Sequence, residues 1–417
     1  MIEKLKFLNE KEVHEIARKY GTPVYVYDQQ TLIQNAKRAM SFPNSYGLTS
    51  RYAMKASSNA AILKIFDKQG LHIDASSGYE AERAIKAGIK PQKILLTAQQ
   101  MPEKEQLKQL VKQGIHFNAC SLHQLETYGK IFPGKEVSIR FNPGLGSGFT
   151  TKTNVGGPSS SFGIWHKHQK KAQSIVHKYK LRVKRIHTHI GSGSDPEVWK
   201  KVAGMSIKLL HKFPEASILN LGGGYKIARM SYEKATDFQK IGKPVKELFQ
   251  QFHKQTGRKI RLEIEPGTAM VANAGALIAT IIDITTTGKY NFIKANTGMT
   301  ELLRPSLYGA QHPIIVVPKR NETKEYVVVG HCCESGDLIT PKPGMPEAIG
   351  PRKLTKAEIE DILVIEGTGA YCSSMSTINY NSFPQAPEVL ITKKGPQLIR
   401  KRQTTEQITQ NEIKCQE

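Results

Sequence analysis

The chain has 417 residues, a formal net charge of +24 and a hydrophobic content of 39%. This composition is typical of a globular protein and excludes disordered and fibrous classes. No apolar run reaches the roughly 18 residues that a membrane-spanning helix requires. The length exceeds that of one ordinary hydrophobic core, so we expect two domains.

Compartment and charge can also be judged from the composition. The N-terminus Met-Ile-Glu-Lys-Leu-Lys does not lead into an apolar signal core, so we do not expect secretion. The five cysteines form no C-x-x-C pair, which favours free thiols in a reducing cytoplasm. Lysines are spread along the chain, and the densest run, residues 167–185, predicts a solvated outer helix. A nucleic-acid partner is therefore not expected.

Eight short β-rich runs alternate with helical stretches in the first two thirds of the chain. Alternating strands and helices indicate a parallel sheet, and eight such units favour a closed (β/α)8 barrel. The predicted helices include 79–87 and 103–113. The predicted strands are Tyr52–Lys55, His72–Ala75, Ile94–Ala98, Ile115–Cys120, Val137–Asn142, Arg185–Ile190, Ile218–Gly222 and Arg261–Glu265.

An open doubly wound sheet is the competing interpretation, and the residues at the strand ends argue against it. Polar or glycine residues recur at the C-terminal end of almost every predicted strand. A closed barrel brings these ends to one mouth, where they share a site. The residues concerned are Lys55, Asp74, Asn142, His189, Gly222–Gly224 and Glu265.

After about Ala276 the pattern changes to strands separated by turns, which predicts a mostly antiparallel β domain. Pro23–Asp28 is predicted to add an early strand to it. The expected domains are therefore a barrel over residues 30–276 and a β domain over residues 1–29 and 277–417. The predicted strands are Ile278–Ile284, Phe292–Lys294, Ile314–Val317, Tyr326–Val329, Ile362–Ile365, Val389–Thr392 and Leu398–Lys401.

Lys55, in Tyr52-Ala-Met-Lys-Ala-Ser57, is out of place at the end of an apolar strand. A partly desolvated amine loses its proton more easily and becomes a nucleophile that forms a Schiff base. Glu265 at the last strand end suits a base, a metal ligand or a partner for a cationic nitrogen. Glu263 lies on the same strand face, either as an acid/base partner or as an inward salt-bridge residue.

Two glycine-rich loops and one histidine complete the predicted barrel mouth. Gly222-Gly223-Gly224 and the loop Gly191-Ser192-Gly193-Ser194 each leave backbone N–H groups free to approach an anion. His189 is either a core histidine or a site residue. No cluster of His and Asp has sensible metal-ligand spacing, so we expect no metal.

Three segments of the β domain carry further candidates. In His331-Cys-Cys-Glu-Ser-Gly-Asp337, at most one of the adjacent cysteines faces a site, because neighbouring side chains alternate on a strand. A thiol beside a carboxylate suits a proton donor; two buried cysteines are the plainer alternative. Arg304 and Tyr308 are four residues apart, and an Arg fork suits a carboxylate.

Together these segments resemble the fold-type III pyridoxal-phosphate-dependent decarboxylases of ornithine, diaminopimelate and arginine, and most closely those acting on diaminopimelate. The resemblance covers nearly the whole chain in family order. It rests on the Lys55 run, His189-Ile-Gly-Ser-Gly193, Leu221–Gly224, Glu265-Pro-Gly267, Leu303-Arg-Pro-Ser-Leu-Tyr-Gly309, Cys333-Glu-Ser-Gly-Asp337, Gly369-Ala-Tyr371 and Asn379-Tyr-Asn381.

The resemblance implies a barrel joined to an alanine-racemase-like β domain, with pyridoxal 5'-phosphate held covalently by Lys55. It further implies that Glu265 faces the pyridine nitrogen, that His189 stacks on the ring, and that Cys333 is the proton donor. The cofactor contacts would include Asp74, Ser192, Gly222, Gly223, Gly224, Gly267, Thr268 and Tyr371. The substrate contacts would be Arg304, Tyr308, Glu334 and Tyr371.

The implied reaction converts meso-diaminopimelate to L-lysine and CO2, the last step of lysine biosynthesis, in a homodimer whose Cys333 and Glu334 reach the partner's site. One departure concerns Thr268, since the family pattern there is Glu-Pro-Gly-Arg. Threonine keeps a hydroxyl and a backbone N–H for phosphate binding. Binding of a distal carboxylate is then expected to rely on Arg304 or another cation.

Other functions remain open on the same scaffold. They are decarboxylation of ornithine, arginine, lysine or carboxynorspermidine, racemisation, and a non-catalytic regulatory role. Regulatory homologues tend to lose the cofactor lysine or the proton-donor cysteine, whereas Lys55 and Cys333 are present. Release of CO2 distinguishes decarboxylation from racemisation.

Overall fold

The computed structural model describes residues 3–146, 156–189, 191, 193, 195–413 and 415. Its contacts divide the chain into two compact units, which we call the barrel unit and the β unit. The barrel unit comprises Leu32–Ile227 and Lys234–Met270, and the β unit comprises Met1–Thr31, Ala228–Glu233 and Val271–Glu417. The predicted limits placed residues 228–233 in the barrel domain, whereas the contacts place them in the β unit. The functional roles of the two predicted domains stay a prediction.

Helices and strands alternate through most of the barrel unit, whereas strands predominate in the β unit. The helices are α1 (Glu10–Tyr20), α2 (Gln29–Met40), α3 (Ala60–Lys68), α4 (Gly78–Lys86), α5 (Lys104–Gln113), α6 (Leu122–Ile131), α7 (Gln169–Lys178), α8 (Pro196–Leu210), α9 (Phe238–Thr256), α10 (Thr268–Val271), α11 (Leu303–Tyr308) and α12 (Thr405–Thr409). The strands are β1 (Val24–Asp28), β2 (Leu48–Ala53), β3 (His72–Ala75), β4 (Ile94–Leu96), β5 (His116–Ala119), β6 (Glu136–Asn142), β7 (Ile164–Trp165), β8 (Arg182–Thr188), β9 (Ile218–Asn220), β10 (Arg261–Ile264), β11 (Gly275–Thr286), β12 (Asn291–Ala295), β13 (Ile314–Val317), β14 (Thr323–Val329), β15 (Pro341–Lys342), β16 (Met345–Ile349), β17 (Arg352–Thr355), β18 (Ile362–Glu366), β19 (Glu388–Thr392) and β20 (Gly395–Arg400).

The barrel unit is a closed parallel barrel, which confirms the predicted fold class. The strand order is β5-β4-β3-β2-β10-β9-β8-β6, and the parallel β5–β6 pair joins the two ends. The short strand β7 adds to β6 in parallel. All eight predicted strands are present within a few residues of their expected limits. Because the strands are parallel and closed, their C-terminal ends meet at one mouth.

A buried ionic layer fills the barrel interior below the mouth. The Glu263 carboxylate accepts from Arg51 Nε and Nη2 at 3.0 and 3.1 Å. It also accepts from Arg185 Nε and Nη2 at 2.6 and 3.0 Å. Although burial opposes ionisation, the two guanidinium groups hold the pKa of Glu263 well below its ordinary value. Glu263 is thus the inward salt-bridge residue, and the acid/base pairing with Glu265 is not present.

Helix caps just after the strands begin the returning helices at the mouth. Ser77 and Ser121 precede α4 and α6, and their side chains accept from the backbone N–H groups of Glu80 and Gln124, each at 3.0 Å. Asn59 caps α3 in the same way, accepting from the backbone N–H of the second helical residue at 2.9 Å. A cap satisfies helix N–H groups that otherwise lack a partner. The caps therefore fix where each helix starts relative to its strand end.

The lysine-rich run 167–185 is only partly helical, which corrects the prediction of one outer helix. Helix α7 ends at Lys178, and β8 begins at Arg182. Along β8 the exposed Arg182 and Lys184 alternate with the buried Val183 and Arg185. The run is basic throughout because the outward positions of both α7 and β8 carry lysine or arginine. The density of positive charge therefore did not show where the helix ends and the strand begins.

The β unit contains a mixed sheet in the order β17-β14-β12-β11-β1-β19-β20, with β18 pairing β11 and β13. Most pairs are antiparallel, while β1–β19 and β12–β14 are parallel. The predicted strands are present, but the short strands β15, β16 and β17 were not anticipated. The predicted strands Val389–Thr392 and Leu398–Lys401 correspond to the antiparallel β19–β20 hairpin.

The core of the β unit forms where helix α1 packs on this sheet. Val13 and Ile16 of α1 lie in one cluster with Val24 and with residues of β11, β13, β18 and β19. Asn9 and Glu12 form a reciprocal capping box that starts the helix. In the described part of the chain, no helix has the length and apolar character needed to cross a membrane.

Candidate active site

Lys55 lies in a single 3₁₀ turn, Met54–Ala56, directly after β2. The predicted strand ended at Lys55, whereas β2 ends at Ala53, two residues earlier. Its neighbours Met54 and Ala56 are buried while Lys55 is exposed. The turn therefore anchors the backbone and directs the amine away from the core. The positive charge of Lys55 acts on Asp74, Glu80 and His189.

Glu265 follows β10 and is held by a buried polar network. His187 Nε2 lies 3.3 Å from Glu265 Oε2, and Asn220 Nδ2 donates to Glu265 Oε1 at 2.5 Å. Asn118 Nδ2 lies 2.7 Å from His187 Nδ1. An amide nitrogen only donates, so His187 Nδ1 accepts and its proton is on Nε2, facing Glu265. The network fixes the histidine tautomer that suits a carboxylate.

This network keeps Glu265 ionised. Burial alone disfavours the carboxylate, but His187, His189 and the Asn220 hydrogen bond outweigh it and lower the pKa of Glu265 to about 2. Burial also lowers the pKa of His187, although the Glu265 carboxylate opposes that shift. The barrel mouth thus presents one stable negative charge at Glu265.

The pKa of Asp74, at the end of β3, is shifted in the opposite direction to that of Glu265. Burial raises its pKa from an ordinary value of 3.8 to about 8, and the negative charge of Glu265 adds to the shift. Lys55 and a hydrogen bond with Thr97 offset part of it. Among the described residues, Asp74 Oδ1 has no hydrogen-bond partner. Two carboxylates in one barrel mouth therefore differ in protonation at neutral pH.

Asp74→Asn is expected to change the pH dependence of stability in the cofactor-free protein. Between the unfolded and folded pKa values, from about 4 to about 8, the unfolded aspartate is ionised while the folded one keeps its proton. The Asp74 contribution to the free energy of unfolding therefore falls as pH rises through this window. Asparagine lacks this titration, so the variant gains stability relative to wild type from about pH 5 to about pH 8, measured by urea unfolding.

Asp237→Asn is the matched control for that measurement. Asp237 is exposed and caps α9, where asparagine also serves as a cap. Its difference from wild type should vary little across the same pH range. The assignment of a buried, protonated Asp74 predicts that the difference in free energy of unfolding between Asp74→Asn and wild type changes with pH. An equal difference at about pH 5 and about pH 8 would contradict it.

Two of the glycines after β9, Gly222 and Gly223, pack closely against His189 and the Glu265 backbone. A Cβ on Gly222 would lie 2.8 Å from the His189 ring, and one on Gly223 would lie 2.3 Å from Glu265 O. Gly222 has φ of 70° and Gly224 of 100°, conformations that side chains disfavour. His189 Nδ1 accepts from Gly191 N–H at 2.8 Å, which orients its ring. Only glycine fits this close approach.

The two predicted anion-binding loops are neighbours in the structure. They follow β8 and β9, which pair in parallel, and Gly193 N–H donates to Gly224 O at 3.0 Å. Ser192 and Ser194 lie outside the described residues. Thr268 follows Gly267 and begins α10. In the structure the N–H groups of Gly191, Gly193 and Gly222 donate to His189 Nδ1, Gly224 O and Asn220 Oδ1, so the expectation that these loops leave their N–H groups free is wrong at these three positions. Phosphate binding by this side of the barrel mouth stays a prediction.

Asn142 does not join these groups. Its Oδ1 accepts from Gly144 and Gly157 N–H at 3.0 and 2.9 Å, and its Nδ2 donates to Gly157 and Ser160 carbonyl oxygens at 2.9 and 3.2 Å. All its polar capacity is used to hold the loop after β6. Asn142 is therefore a loop-organising residue.

The remaining predicted residues belong to the β unit. Arg304 and Tyr308 lie on α11, with the guanidinium carbon 5.9 Å from the Tyr308 ring centroid. Tyr371 has φ of 56°, in the left-handed region. Cys332 is buried and Cys333 exposed, but both lie in bends after β14 and not on a strand, so strand alternation is not the cause. Cys333 N–H donates to Asn381 Oδ1 at 3.0 Å. Glu334 is also exposed.

The barrel mouth fits pyridoxal phosphate on its own chemistry. Lys55 supplies an amine, Glu265 a stable carboxylate for a protonated ring nitrogen, and His189 a flat neutral ring. The pKa of His189 lies well below its ordinary value because of burial and the charges of Arg140 and Lys55. Asn118, Asn220 and the pairing of His187 with Glu265 were not predicted from the sequence. Each of these residues is a polar residue in an otherwise apolar strand, at a position whose side chain faces the barrel interior as that of Glu265 does. This alternation was the signal available in the sequence.

The family of the chain follows from comparison with known proteins. The family model "Pyridoxal-dependent decarboxylase, pyridoxal binding domain" matches residues 31–272, more than half of the chain, so the chain belongs to this family of pyridoxal-dependent decarboxylases. It is 37% identical over 410 residues to diaminopimelate decarboxylase of Buchnera aphidicola from Acyrthosiphon pisum, covering 96% of both chains.

Solved structures agree with this relationship. A crystal structure of diaminopimelate decarboxylase has a TM-score of 0.90 and 34% identity, covering 97% of this chain and 96% of the other. Diaminopimelate decarboxylase from Helicobacter pylori complexed with L-lysine has a TM-score of 0.81 and 29% identity, covering 95% and 98%. The similarity thus extends over both units of the chain.

Proposed function

We propose that this chain is a carboxy-lyase that removes one α-carboxylate of meso-2,6-diaminopimelate as CO2 and leaves L-lysine. The observation that carries the proposal is the barrel mouth, where the charge of Lys55 acts on His189 and Glu265 is held ionised by His187 and Asn220. The near full-length relatives named for this reaction support the choice of substrate.

Pyridoxal phosphate supplies the electron sink that makes loss of an α-carboxylate possible. Lys55 Nζ would hold the cofactor covalently. Glu265 would keep a proton on the ring nitrogen, and His189 would stack on the ring. The other proposed cofactor contacts are Asp74, Ser192, Gly222–Gly224, Gly267, Thr268 and Tyr371.

The far end of the substrate carries a second amine and carboxylate. Arg304, Tyr308, Glu334 and Tyr371 are proposed to bind these groups, because a guanidinium fork suits a carboxylate and Glu334 suits an ammonium. Cys333 is proposed to give the α-carbon its proton after CO2 leaves. Its thiol is exposed, so a proton can reach it from solvent.

We further propose a homodimer in which Cys333 and Glu334 serve the site of the partner subunit. The exposure of both side chains in the single chain supports this arrangement. Light scattering tests the dimer. Mixing a Lys55→Ala chain with a Cys333→Ala chain tests the shared site, since a mixed dimer regains one intact site. No recovery of activity on mixing argues against sharing.

The reaction is tested by measuring CO2 release from meso-diaminopimelate, ornithine, arginine, lysine and carboxynorspermidine. We expect the highest kcat/KM for meso-diaminopimelate, with L-lysine as product. Preference for ornithine would overturn the substrate assignment and keep the reaction class. Conversion without CO2 release indicates a racemase. Purified protein that lacks the visible absorption of a lysine-bound cofactor indicates a non-catalytic homologue.

A further inference from the structure

A second arginine of the β unit, Arg229, is buried and subject to the charge of Arg304. Arg229 is 8% exposed, and its segment Ala228–Glu233 packs with the β unit. Burial and then the charge of Arg304 lower the pKa of Arg229 to about 9. The same two cations lower the pKa of the buried His312 after burial itself. Arg229 and Arg304 are therefore close enough to repel each other in a region of low dielectric.

Each guanidinium has unused hydrogen-bonding capacity. Arg229 Nε donates to Gly367 O at 2.9 Å, whereas Arg229 Nη2 is buried and has no partner among the described residues. Within the same part of the chain, Arg304 Nε is likewise buried without a partner. Buried donors of charged groups are costly to leave unsatisfied. Two such donors on neighbouring cations indicate that an anion belongs between them.

The residues that surround Arg229 do not supply that anion. Glu233 is the carboxylate that acts on Arg229, and its effect on the pKa is smaller than that of Arg304. Its Oε2 already accepts from the backbone N–H groups of Arg229 and Met230 at 2.7 and 3.0 Å. Glu366, another buried acid of the β unit, has its pKa raised to about 7 by burial. It is thus a poor permanent counter-ion.

The loop that Arg229 contacts carries proposed substrate residues. Gly367 opens the segment Gly367–Cys372, and both Tyr371 and Cys372 act electrostatically on Arg229. Arg304 and Arg229 in turn lower the pKa of Cys372, which burial raises to about 11. Arg229, Arg304 and Tyr371 therefore form one cluster, which we call the arginine pair site.

We propose that Arg229 is a specificity-determining residue that binds, together with Arg304, the carboxylate retained at the far end of the substrate. A carboxylate has several lone pairs, so the free donors of a second guanidinium add to those that Arg304 offers. This rests on the proposed function for the identity of the ligand. Because this chain has threonine at position 268, where the family pattern has arginine, another cation has to accompany Arg304. The proposal assigns that role to Arg229.

The test compares two diamines that differ only in the carboxylate, L-lysine and 1,5-diaminopentane, binding to the holoenzyme by calorimetry. Arg229→Gln is expected to weaken L-lysine binding about 10- to 100-fold, the usual range for a hydrogen bond to a charged group. Binding of 1,5-diaminopentane should change little. Affinity of the cofactor-free protein for pyridoxal phosphate should be unchanged, which separates a carboxylate site from a phosphate site.

Arg402→Gln is the matched control, because Arg402 is another partly buried arginine of the β unit that donates to a backbone carbonyl, Pro23 O, at 2.9 Å. Arg402→Gln should not weaken the binding of L-lysine more than the binding of 1,5-diaminopentane. Equal loss for both diamines in Arg229→Gln would make Arg229 a structural residue, and loss of pyridoxal phosphate binding would assign it to the cofactor. Either result overturns the proposal.

Two further outcomes are informative. If Arg229→Gln does not fold, Arg229→Lys decides, since it keeps the charge and loses the fork: a selective loss for L-lysine supports the proposal and no selective loss overturns it. Wild-type CO2 release from meso-diaminopimelate is measured in parallel. Selective L-lysine binding through Arg229 without that release refutes the proposed reaction while leaving the carboxylate site intact.

Discussion

Lys55→Ala is expected to lose the visible absorption of the bound cofactor and to lower kcat by about 10³-fold or more. Removal of a nucleophile that forms a covalent intermediate costs other enzymes up to about 10⁶-fold. The physical reason is that Lys55 is the amine of the barrel mouth whose charge acts on Asp74 and His189. Absorption spectra and single-turnover assays with meso-diaminopimelate measure the two effects.

Lys64→Ala serves as the control, since Lys64 is an exposed lysine on α3, the helix that follows the Lys55 turn. It should keep both the absorption and the turnover. A Lys55→Ala protein that retains the cofactor absorption would place the covalent anchor at another lysine. Retained absorption together with retained turnover would remove Lys55 from the site altogether.

Glu263→Gln is expected to lower the free energy of unfolding by about 3–5 kcal/mol, the range for removing one member of a buried ion pair. The change leaves Arg51 and Arg185 buried at 2% relative exposure each without a counter-charge. Urea unfolding of the cofactor-free protein at neutral pH measures the loss. The loss should remain in high salt, because buried pairs are screened little.

Glu105→Gln is the control for Glu263→Gln. Glu105 pairs with Lys108 at 2.8 Å on the surface of α5, where solvent screens the interaction. Its effect on stability should be far smaller. A similar small effect in Glu263→Gln would show that the ionic layer contributes little to barrel stability. In that case Arg51 and Arg185 would have other hydrogen bonds to replace it.

Much of the barrel was predictable because parallel strands buried on both faces are short apolar runs, and charged residues at their ends stand out. Lys55 and Glu265 were found in this way. The role of Glu263 was left open, since its partners Arg51 and Arg185 come from β2 and β8. Pairing across a closed barrel is a property of the fold that no local pattern contains.

The polar network behind Glu265 was not predicted for the same reason. A single asparagine in an apolar strand has many explanations, and Asn118 meets His187 only because β5 pairs β6 and closes the barrel. Arg229 was missed because no strand or motif marks it. Its significance depends on burial beside Arg304, which arises when a six-residue segment, Ala228–Glu233, joins the β unit.

The central position of β1 in its sheet has a consequence for synthesis of the protein. Val24 pairs with Ile278 and Tyr25 with Glu388, so both neighbours of this strand are made long after it. At about 5–20 residues per second, the ribosome delivers the second neighbour roughly 20–70 s later. Until then Val-Tyr-Val-Tyr has unpaired edges of the kind that promote aggregation. The nascent chain therefore depends on protection of its first strand while the barrel is completed.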